Sequence, residues 1–306
     1  MKLYIIGNGF DQHHKMPTGY NDYKKFLNDL HPNSIKSFES FGYIKGYGKE
    51  DILWTDLENA LTLDSEYLIS DFINDYYPDL SSDSDYTYDE IRVELENATQ
   101  FIYNFTGLYF FEWIKSINPS GYNVDKNLHF DSNDLFITFN YTDTLESLYQ
   151  IPSENILHIH GRINNELSSK ILGGNSYHPA KTIEEAEIFD PIPIPPINNH
   201  SVHSEIQFGS TLNDPKVIEE KLQNKYSDDD FYGASIHQGV NEIVKYCKAS
   251  YKDLTANYPI LKGFIADKPI AEVIIMGHSF DGIDEPYYSD ILVPIFKDIK
   301  MDFLYS

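Results

Sequence analysis

The stretch that decides the fold is KLYIIGNGFD, residues 2–11. Its apolar run is typical of a strand that is buried on both faces, as in a parallel sheet. The glycines after the run permit a tight turn and let backbone N–H groups approach a ligand closely. Downstream, Pro17 and Thr18 are helix-start signals, and apolar residues recur at helical spacing as far as Leu30. Strand, glycine turn and helix form the first unit of a doubly wound nucleotide-binding fold.

The composition is that of a folded and strongly acidic protein. Of 306 residues 41% are hydrophobic, and 48 acidic residues against 23 basic ones give a formal net charge of −25. Such a charge repels nucleic-acid backbones and anionic membrane surfaces, so we expect no direct binding to either. The single cysteine, Cys247, excludes an internal disulfide and a cysteine-based zinc site. No run of transmembrane length and no signal peptide is recognisable, so the expected location is cytoplasmic.

The apolar pattern predicts an α/β fold with a Rossmann-like, mostly parallel sheet and a helical insertion. Further strand-like runs occur at 135–139, 156–160, 273–276 and 301–305, with shorter ones at 170–172 and 206–209. Helical periodicity dominates residues 50–118, returns at 214–250 and predicts a last helix at 286–297.

These elements suggest how the chain is divided. We predict a Rossmann-like nucleotide-binding core at 1–45 and 130–306, interrupted by a helical insertion at 46–129. A loop-rich and helical elaboration at 176–255 lies within the second part of that core.

Four of the predicted strands end in small or polar residues. The clusters are Gly7-Asn8-Gly9, Asn140-Tyr141-Thr142-Asp143, His160-Gly161 and Gly277-His278-Ser279. Because ligands of open α/β sheets bind beyond the carboxyl ends of the strands, these clusters should converge on one pocket. Gln12 stands where the dinucleotide fingerprint G-x-G-x-x-G has its third glycine, which disfavours a hydride-transferring dehydrogenase.

Taken together, these motifs resemble the bacteriophage abortive-infection AbiH family over nearly the whole chain. The resemblance is carried by the strand-end clusters together with Phe10, Asp11, His14, Pro17, Thr18, Tyr20 and Glu58. It implies a role in antiphage defence. The family is in turn similar, more distantly, to sirtuin-like NAD-binding domains, which implies NAD as substrate or ligand. By that similarity the NAD-pocket positions are Thr138, Asn140, His160, Gly277 and Ser279. The cysteine-based zinc module of sirtuin deacylases is missing, so neither zinc nor protein deacylation is expected.

Asn140 and His160 are the predicted catalytic residues. Asn140 would hold the nicotinamide-side ribose or a water, and His160 would act as general base on a ribose hydroxyl or on water. The predicted nucleotide-binding residues are Gly7, Asn8, Gly9, Phe10, Asp11, Thr138, Asp143, Gly161, Gly277, His278 and Ser279. Structural roles remain open alternatives: a turn cap for Asn140, a core histidine for His160 and a helix cap for Asp11.

Three functional hypotheses follow. The first is an abortive-infection protein that binds an NAD-like nucleotide and hydrolyses the nicotinamide–ribose bond, that is, an NAD glycohydrolase. The second is a nucleotide-sensing module without turnover. The third is a metal-dependent phosphoesterase or nuclease, in which His158 and His160 share a strand face near Asp11 and Asp143. The net charge disfavours the third for nucleic-acid substrates. The expected partner is a small-molecule nucleotide, and a homo-oligomer is left open.

Overall fold

The computed structural model describes residues 1–49, 53–76, 90–162, 206–226, 233–279 and 282–304. In these ranges one all-parallel sheet is formed by β1 Lys2–Ile6, β2 Leu135–Thr138, β3 Ile156–His158, β4 Glu272–Met276 and β5 Lys300–Leu304. The strand order is β3-β2-β1-β4-β5, which confirms the α/β, Rossmann-like class. The order reverses direction between β1 and β4, and such a switch point opens a crevice at the carboxyl ends of the strands.

Both faces of the central strand β1 are covered. Leu3 lies opposite Leu135 on β2 and Val273 on β4, and all three side chains are buried on one face. Its neighbour Tyr4 and, two residues on, Ile6 are buried on the other face. Successive side chains of a strand point to opposite faces, so a strand covered on both sides needs an unbroken apolar run.

The described α-helices are numbered α1 to α14 in chain order. They are Asn8–His13, Tyr20–Leu30, Pro32–Ser40, Leu57–Ala60, Ser65–Tyr76, Glu90–Thr99, Phe101–Tyr103, Tyr109–Ser116, Thr144–Tyr149, Pro215–Lys225, Gly233–Ala249, Leu254–Ile265, Glu285–Tyr287 and Val293–Phe296. Single π-helical turns at Asn104–Leu108 and Tyr288–Leu292 join α7 to α8 and α13 to α14. Short 3₁₀ turns occur at Pro119–Gly121, Ser153–Asn155 and Gly282–Asp284.

The helices form three apolar groups. Helix α12 and the segment from α13 to α14 cover the Leu3 face of the sheet. The other face is covered by α1 and α9 through Phe10 and Leu145. The largest apolar cluster is helical, and we call it the helical layer: it comprises the buried residues of α2 to α8, α10 and α11 with their connections. The helical layer contains residues from both sides of the domain boundaries predicted at residues 45 and 129. Those boundaries stay a prediction.

Three local features differ from the sequence-based expectations. The glycine turn after β1 is the start of a helix, because α1 begins at Asn8 with Gly7 as its N-cap. The predicted strand at 206–209 is wrong: these residues form no ladder, and only Ser210 makes an isolated bridge, to Tyr251. The helical periodicity predicted over 50–118 is interrupted by the π-helical turn Asn104–Leu108, where the Phe105 carbonyl accepts a hydrogen bond from the Tyr23 hydroxyl. The strand predicted at 170–172 lies outside the described residues.

The glycine at the end of β4 should be indispensable for folding. Gly277 has φ +68°, and a Cβ there would lie 2.2 Å from the Phe10 nitrogen. We expect Gly277→Ala to lower the free energy of unfolding by about 3 kcal/mol or more, since a left-handed conformation and a backbone clash add up. Urea denaturation measures this. The matched control is Gly263→Ala on α12, where a Cβ meets nothing within 4 Å. That change should raise stability by about 0.5 kcal/mol, and equal effects of the two substitutions would contradict the assignment.

Candidate functional site

Three glycines hold the ends of β1 and β4 in direct backbone contact. The Gly7 N–H donates to the Met276 carbonyl at 2.9 Å, and the Gly9 N–H donates to the Gly277 carbonyl at 2.8 Å. A Cβ on Gly7 would lie 2.5 Å from the Gly277 carbonyl oxygen. The glycines therefore allow two strand ends to approach each other. The expectation that their N–H groups face a ligand is wrong for Gly7 and Gly9, because both groups already have carbonyl partners.

A cavity of 440 Å³ lies at this edge of the sheet, between the strand ends and the helical layer. Pockets for small organic ligands span roughly 300–1,000 Å³, so this one is large enough for a nucleoside-sized molecule. Of the residues predicted from the sequence, those that line the cavity are Asn8, Gly9, Asp11, Asn140, Gly277, His278 and Ser279. Three of the predicted clusters thus converge as expected at the switch point.

The other predicted residues do not line the cavity. Phe10 is fully buried in the apolar cluster on the opposite side of α1. The Thr138 hydroxyl accepts the Asn140 N–H at 3.1 Å, and the Asp143 carboxylate accepts the Ser147 hydroxyl at 2.8 Å. Gly7, His160 and Gly161 are also absent from the lining. These residues support the loops around the cavity without facing its interior.

One wall of the cavity carries polar atoms that lack hydrogen-bond partners. Asp11 is fully buried, and its Oδ2 accepts the Thr142 hydroxyl at 2.5 Å. In the described part of the chain, Asp11 Oδ1, Asn140 Oδ1 and Thr18 Oγ1 have no hydrogen-bond partner. Burial raises the pKa of Asp11 above its ordinary value, against the opposing effect of the Thr142 and Thr144 hydroxyls and of the Asn140 side chain. We call Asp11, Thr18 and Asn140 the acceptor wall.

The acceptor wall also argues against two of the structural alternatives, the helix cap for Asp11 and the turn cap for Asn140. Asp11 does not cap α1, whose N-cap is Gly7 without a side-chain hydrogen bond. The Asn140 side-chain oxygen does not cap its own turn either, because it is unpartnered. Buried polar atoms are nearly always paired in folded proteins, so three unpaired atoms on residues that line one cavity are a sign of a ligand site.

The opposite side of the cavity contains a buried ion network. The Lys252 ammonium, 1% exposed, donates to both Glu58 carboxylate oxygens at 3.1 and 2.9 Å and lies 3.1 Å from Asp284 Oδ1. The Tyr141 hydroxyl donates to Glu58 Oε1 at 3.0 Å. Burial by itself lowers the pKa of Lys252, but Asp284 and Glu58 outweigh it and hold that pKa above the ordinary value. Lys252 is therefore charged, and it neutralises carboxylates that could not otherwise be buried.

His160 belongs to this network and not to the cavity surface. Its Nε2 lies 2.9 Å from Asp284 Oδ1. Burial and then the charge of Lys252 lower the pKa of His160 to about 4. The ring is thus neutral at pH 7, and its Nε2–H donates to Asp284. The predicted role of general base on a ligand does not fit this position, whereas the alternative of a buried, hydrogen-bonded histidine does.

The two histidines of the metal hypothesis have different partners. β3 ends at His158, and the chain turns before His160, so the two rings do not share a strand face. His158 Nε2 lies 2.9 Å from Glu146 Oε1, on which Arg162 also converges at 2.7 Å. Within the described ranges no group of three or more His, Cys, Asp or Glu side chains is arranged to hold a metal ion. The geometry does not support the metal-dependent alternative.

The residues that sequence reasoning missed are the charged ones. Lys252 and Asp284 belong to no recognisable motif, and Glu58 is singled out only by the family resemblance. Lys252 is placed by backbone hydrogen bonds: Ser210 N–H to the Ser250 carbonyl at 2.8 Å, and Lys252 N–H to the Ser210 carbonyl at 3.3 Å. Nothing in the local sequence signals this pairing.

The architecture defines a Rossmann-like α/β protein with a cavity at the switch point that is lined by charged, polar and aromatic side chains. The chain matches the family described as "Bacteriophage abortive infection AbiH" over residues 3–305 and belongs to that family. The resemblance inferred from the motifs is thereby confirmed, and membership supports a role in phage abortive infection. No curated protein and no solved structure matches the chain. The more distant similarity to sirtuin-like domains stays a prediction.

One further property concerns membranes. None of the helices in the described ranges is both long enough and apolar enough to cross a bilayer.

Removal of the buried cation from the ion network should destabilise the fold strongly. We expect Lys252→Met to lower the free energy of unfolding by about 3–5 kcal/mol, because it leaves Glu58 and Asp284 buried without their cation. Chemical denaturation checks this. Lys225→Met is the control, since Lys225 pairs with Glu66 on the surface with 44% of its side chain exposed, and exposed pairs contribute little. If both variants unfold at the wild-type denaturant midpoint, the network has no structural importance.

His160 should make stability depend on pH. Its folded pKa of about 4 lies below the ordinary value of 6.5, so the unfolded state binds the extra proton in this window. The wild type should therefore lose stability as pH falls from 6.5 towards 4. His160→Gln keeps a donor for Asp284 but removes the titration. Denaturation curves at several pH values give the free energy of unfolding of both proteins. On acidification the wild type should lose more of this free energy than the variant. A constant difference would contradict a neutral His160.

Proposed function

We propose that this protein acts in abortive infection by binding the ribosyl part of an NAD-like nucleotide and hydrolysing its nicotinamide–ribose bond. The observation that carries the proposal is the acceptor wall, with its three unpartnered polar atoms on Asp11, Thr18 and Asn140. A buried polar atom without a partner costs roughly 1–3 kcal/mol. A ligand that brings hydrogen-bond donors to this wall removes that cost.

Ribose matches the acceptor wall chemically. Its neighbouring hydroxyls are donors at fixed spacing, and the unpaired oxygens of the Asn140 amide and the Thr18 hydroxyl are suitable acceptors for such a pair. Aromatic side chains of Tyr20, Phe139 and Tyr141 also line the cavity. They offer apolar faces for a flat heterocycle next to the sugar.

The charge of the cavity suits cleavage of an N-glycosidic bond. The transition state of glycoside hydrolysis is oxocarbenium-like and carries positive charge on the sugar, which preorganised carboxylates stabilise. In the proposed step the oxygen of a water bonds to the ribose C1′. The C1′–N bond breaks, and its electron pair stays with the nicotinamide nitrogen. A general base takes the water proton.

We assign the acceptance of this proton to Asp11. Its Oδ1 is free of hydrogen bonds, and burial raises its pKa, which makes the carboxylate a better base near neutral pH. Asn140 beside it would orient the water or a ribose hydroxyl. The role of general base, which the sequence predicted for His160, is therefore proposed for Asp11. Asn140 keeps its proposed role.

The test is release of free nicotinamide from NAD by the purified protein. We expect Asp11→Asn, which preserves the size of the side chain, to reduce the rate by about 10²–10⁴-fold. The exposed Asp298 makes no contact with the cavity, so Asp298→Asn should release nicotinamide at the wild-type rate. Melting temperatures of both variants control for folding.

Two results would contradict the proposal. In the first, the wild-type protein releases no nicotinamide but shows a calorimetric heat of NAD binding, which Asp11→Asn abolishes. The protein then senses the ligand without turnover. If Asp11→Asn hydrolyses NAD at the parent rate, Asp11 is not the base.

A further inference from the structure

The cavity is built to repel anions. Its described lining contains four carboxyl groups, on Asp11, Asp56, Glu58 and Asp284, and one lysine, Lys252. The Lys252 ammonium is already shared between Glu58 and Asp284, at 2.9 and 3.1 Å. Its positive charge is therefore already paired and cannot serve as the counter-charge of a phosphate.

The described lining does not become positive even when the two carboxyl groups with raised pKa values, Asp11 and Glu58, are neutral. If Asp11 and Glu58 were both neutral, Asp56 and Asp284 against Lys252 would still leave one net negative charge. His278 also lines the cavity, 3.9 Å from Asp284. A protonated His278 would bring the sum to zero but not to a positive value.

In the described glycine turn after β1, the N–H groups of Gly7 and Gly9 are not available as a substitute for a basic side chain. Nucleotide-binding folds commonly hold phosphates with the N–H groups of the glycine turn after the first strand. Here the Gly7 and Gly9 N–H groups donate to the Met276 and Gly277 carbonyls. A Cβ on Gly9 would lie 2.8 Å from the Gly277 Cα, so the turn is filled by protein backbone.

We infer that the cavity selects a cationic ribonucleoside, namely the oxidised nicotinamide riboside end of the ligand, and excludes the pyrophosphate and everything beyond it. This inference rests on the proposed function and specifies its substrate class: a phosphate-free nucleoside is the smallest complete ligand. The positive pyridinium ring is attracted by the carboxylates and can lie against the faces of Tyr20 or Tyr141, which line the same cavity.

The experiment is a calorimetric titration of the full-length protein with three probes. Nicotinamide riboside is cationic, its reduced dihydro form is neutral and of nearly the same shape, and ADP-ribose carries the phosphates without the pyridinium. We expect the cation to bind about tenfold more tightly than the neutral form. ADP-ribose should not displace it.

A variant separates charge selection from shape. Asp56 is half-buried, lies outside the Lys252 network and accepts a hydrogen bond from the Asn59 amide at 3.1 Å. Asp56→Asn should weaken binding of the cation about fivefold and leave the neutral form unaffected. Asp298→Asn, the same charge change at an exposed site outside the cavity, should alter neither.

The outcomes distinguish this inference from the proposed hydrolysis. Equal affinities for the cationic and neutral forms, no binding of the riboside, or displacement by ADP-ribose would each overturn charge selection, even if NAD is hydrolysed. Charge-selective binding of the riboside, with no nicotinamide released from it or from NAD, would support the inference and overturn the hydrolysis.

Discussion

The structure depends on one buried cation. The Lys252 ammonium joins Glu58 from the helical layer to Asp284 from the segment after β4, and Asp284 in turn accepts from His160 after β3. The network thus connects the helical layer, to which the residues around Glu58 belong, with the apolar cluster on the Leu3 face, which contains Ile159 and Tyr287. Because unpaired charges are very costly to bury, these parts can only come together in an arrangement that brings all the partners within contact distance.

Such a network contributes specificity more than net stability. Desolvation of an ammonium and two carboxylates offsets much of their mutual attraction, so apolar residues of equal volume would stabilise the fold as well. The charged groups instead fix which loops meet and where. In the cavity lining the Lys252 ammonium is paired with carboxylates, whereas one polar atom each of Asp11, Thr18 and Asn140 has no hydrogen-bond partner. Local violations of polar pairing are common at functional sites. Three of the nine such atoms in the described residues belong to Asp11, Thr18 and Asn140, which line the cavity at the switch point of the sheet.

Much of the site could be anticipated from the strand-end clusters, because parallel strands place their carboxyl ends at one edge. Asn8, Asp11, Asn140 and Ser279 line the cavity for this reason. The direction of individual side chains could not be anticipated. His160 follows a strand end as Asn140 does, yet its ring points to Asp284 beneath the cavity surface. Its neighbours in space come from elsewhere in the chain, and no local pattern encodes them.

The sequence by itself determined the α/β class, the five strands of the described sheet and membership of the abortive-infection family. These depend on local signals, namely apolar runs and the residues that end them, which act within a few positions of the chain. Only the tertiary structure decided the use of Gly7, Gly9 and Gly277 for backbone contact and the pairing of Lys252 with Glu58, which are 194 residues apart. A contact between distant residues depends on how the layers pack, and a lysine's preference for a carboxylate is the same whichever carboxylate the fold brings to it.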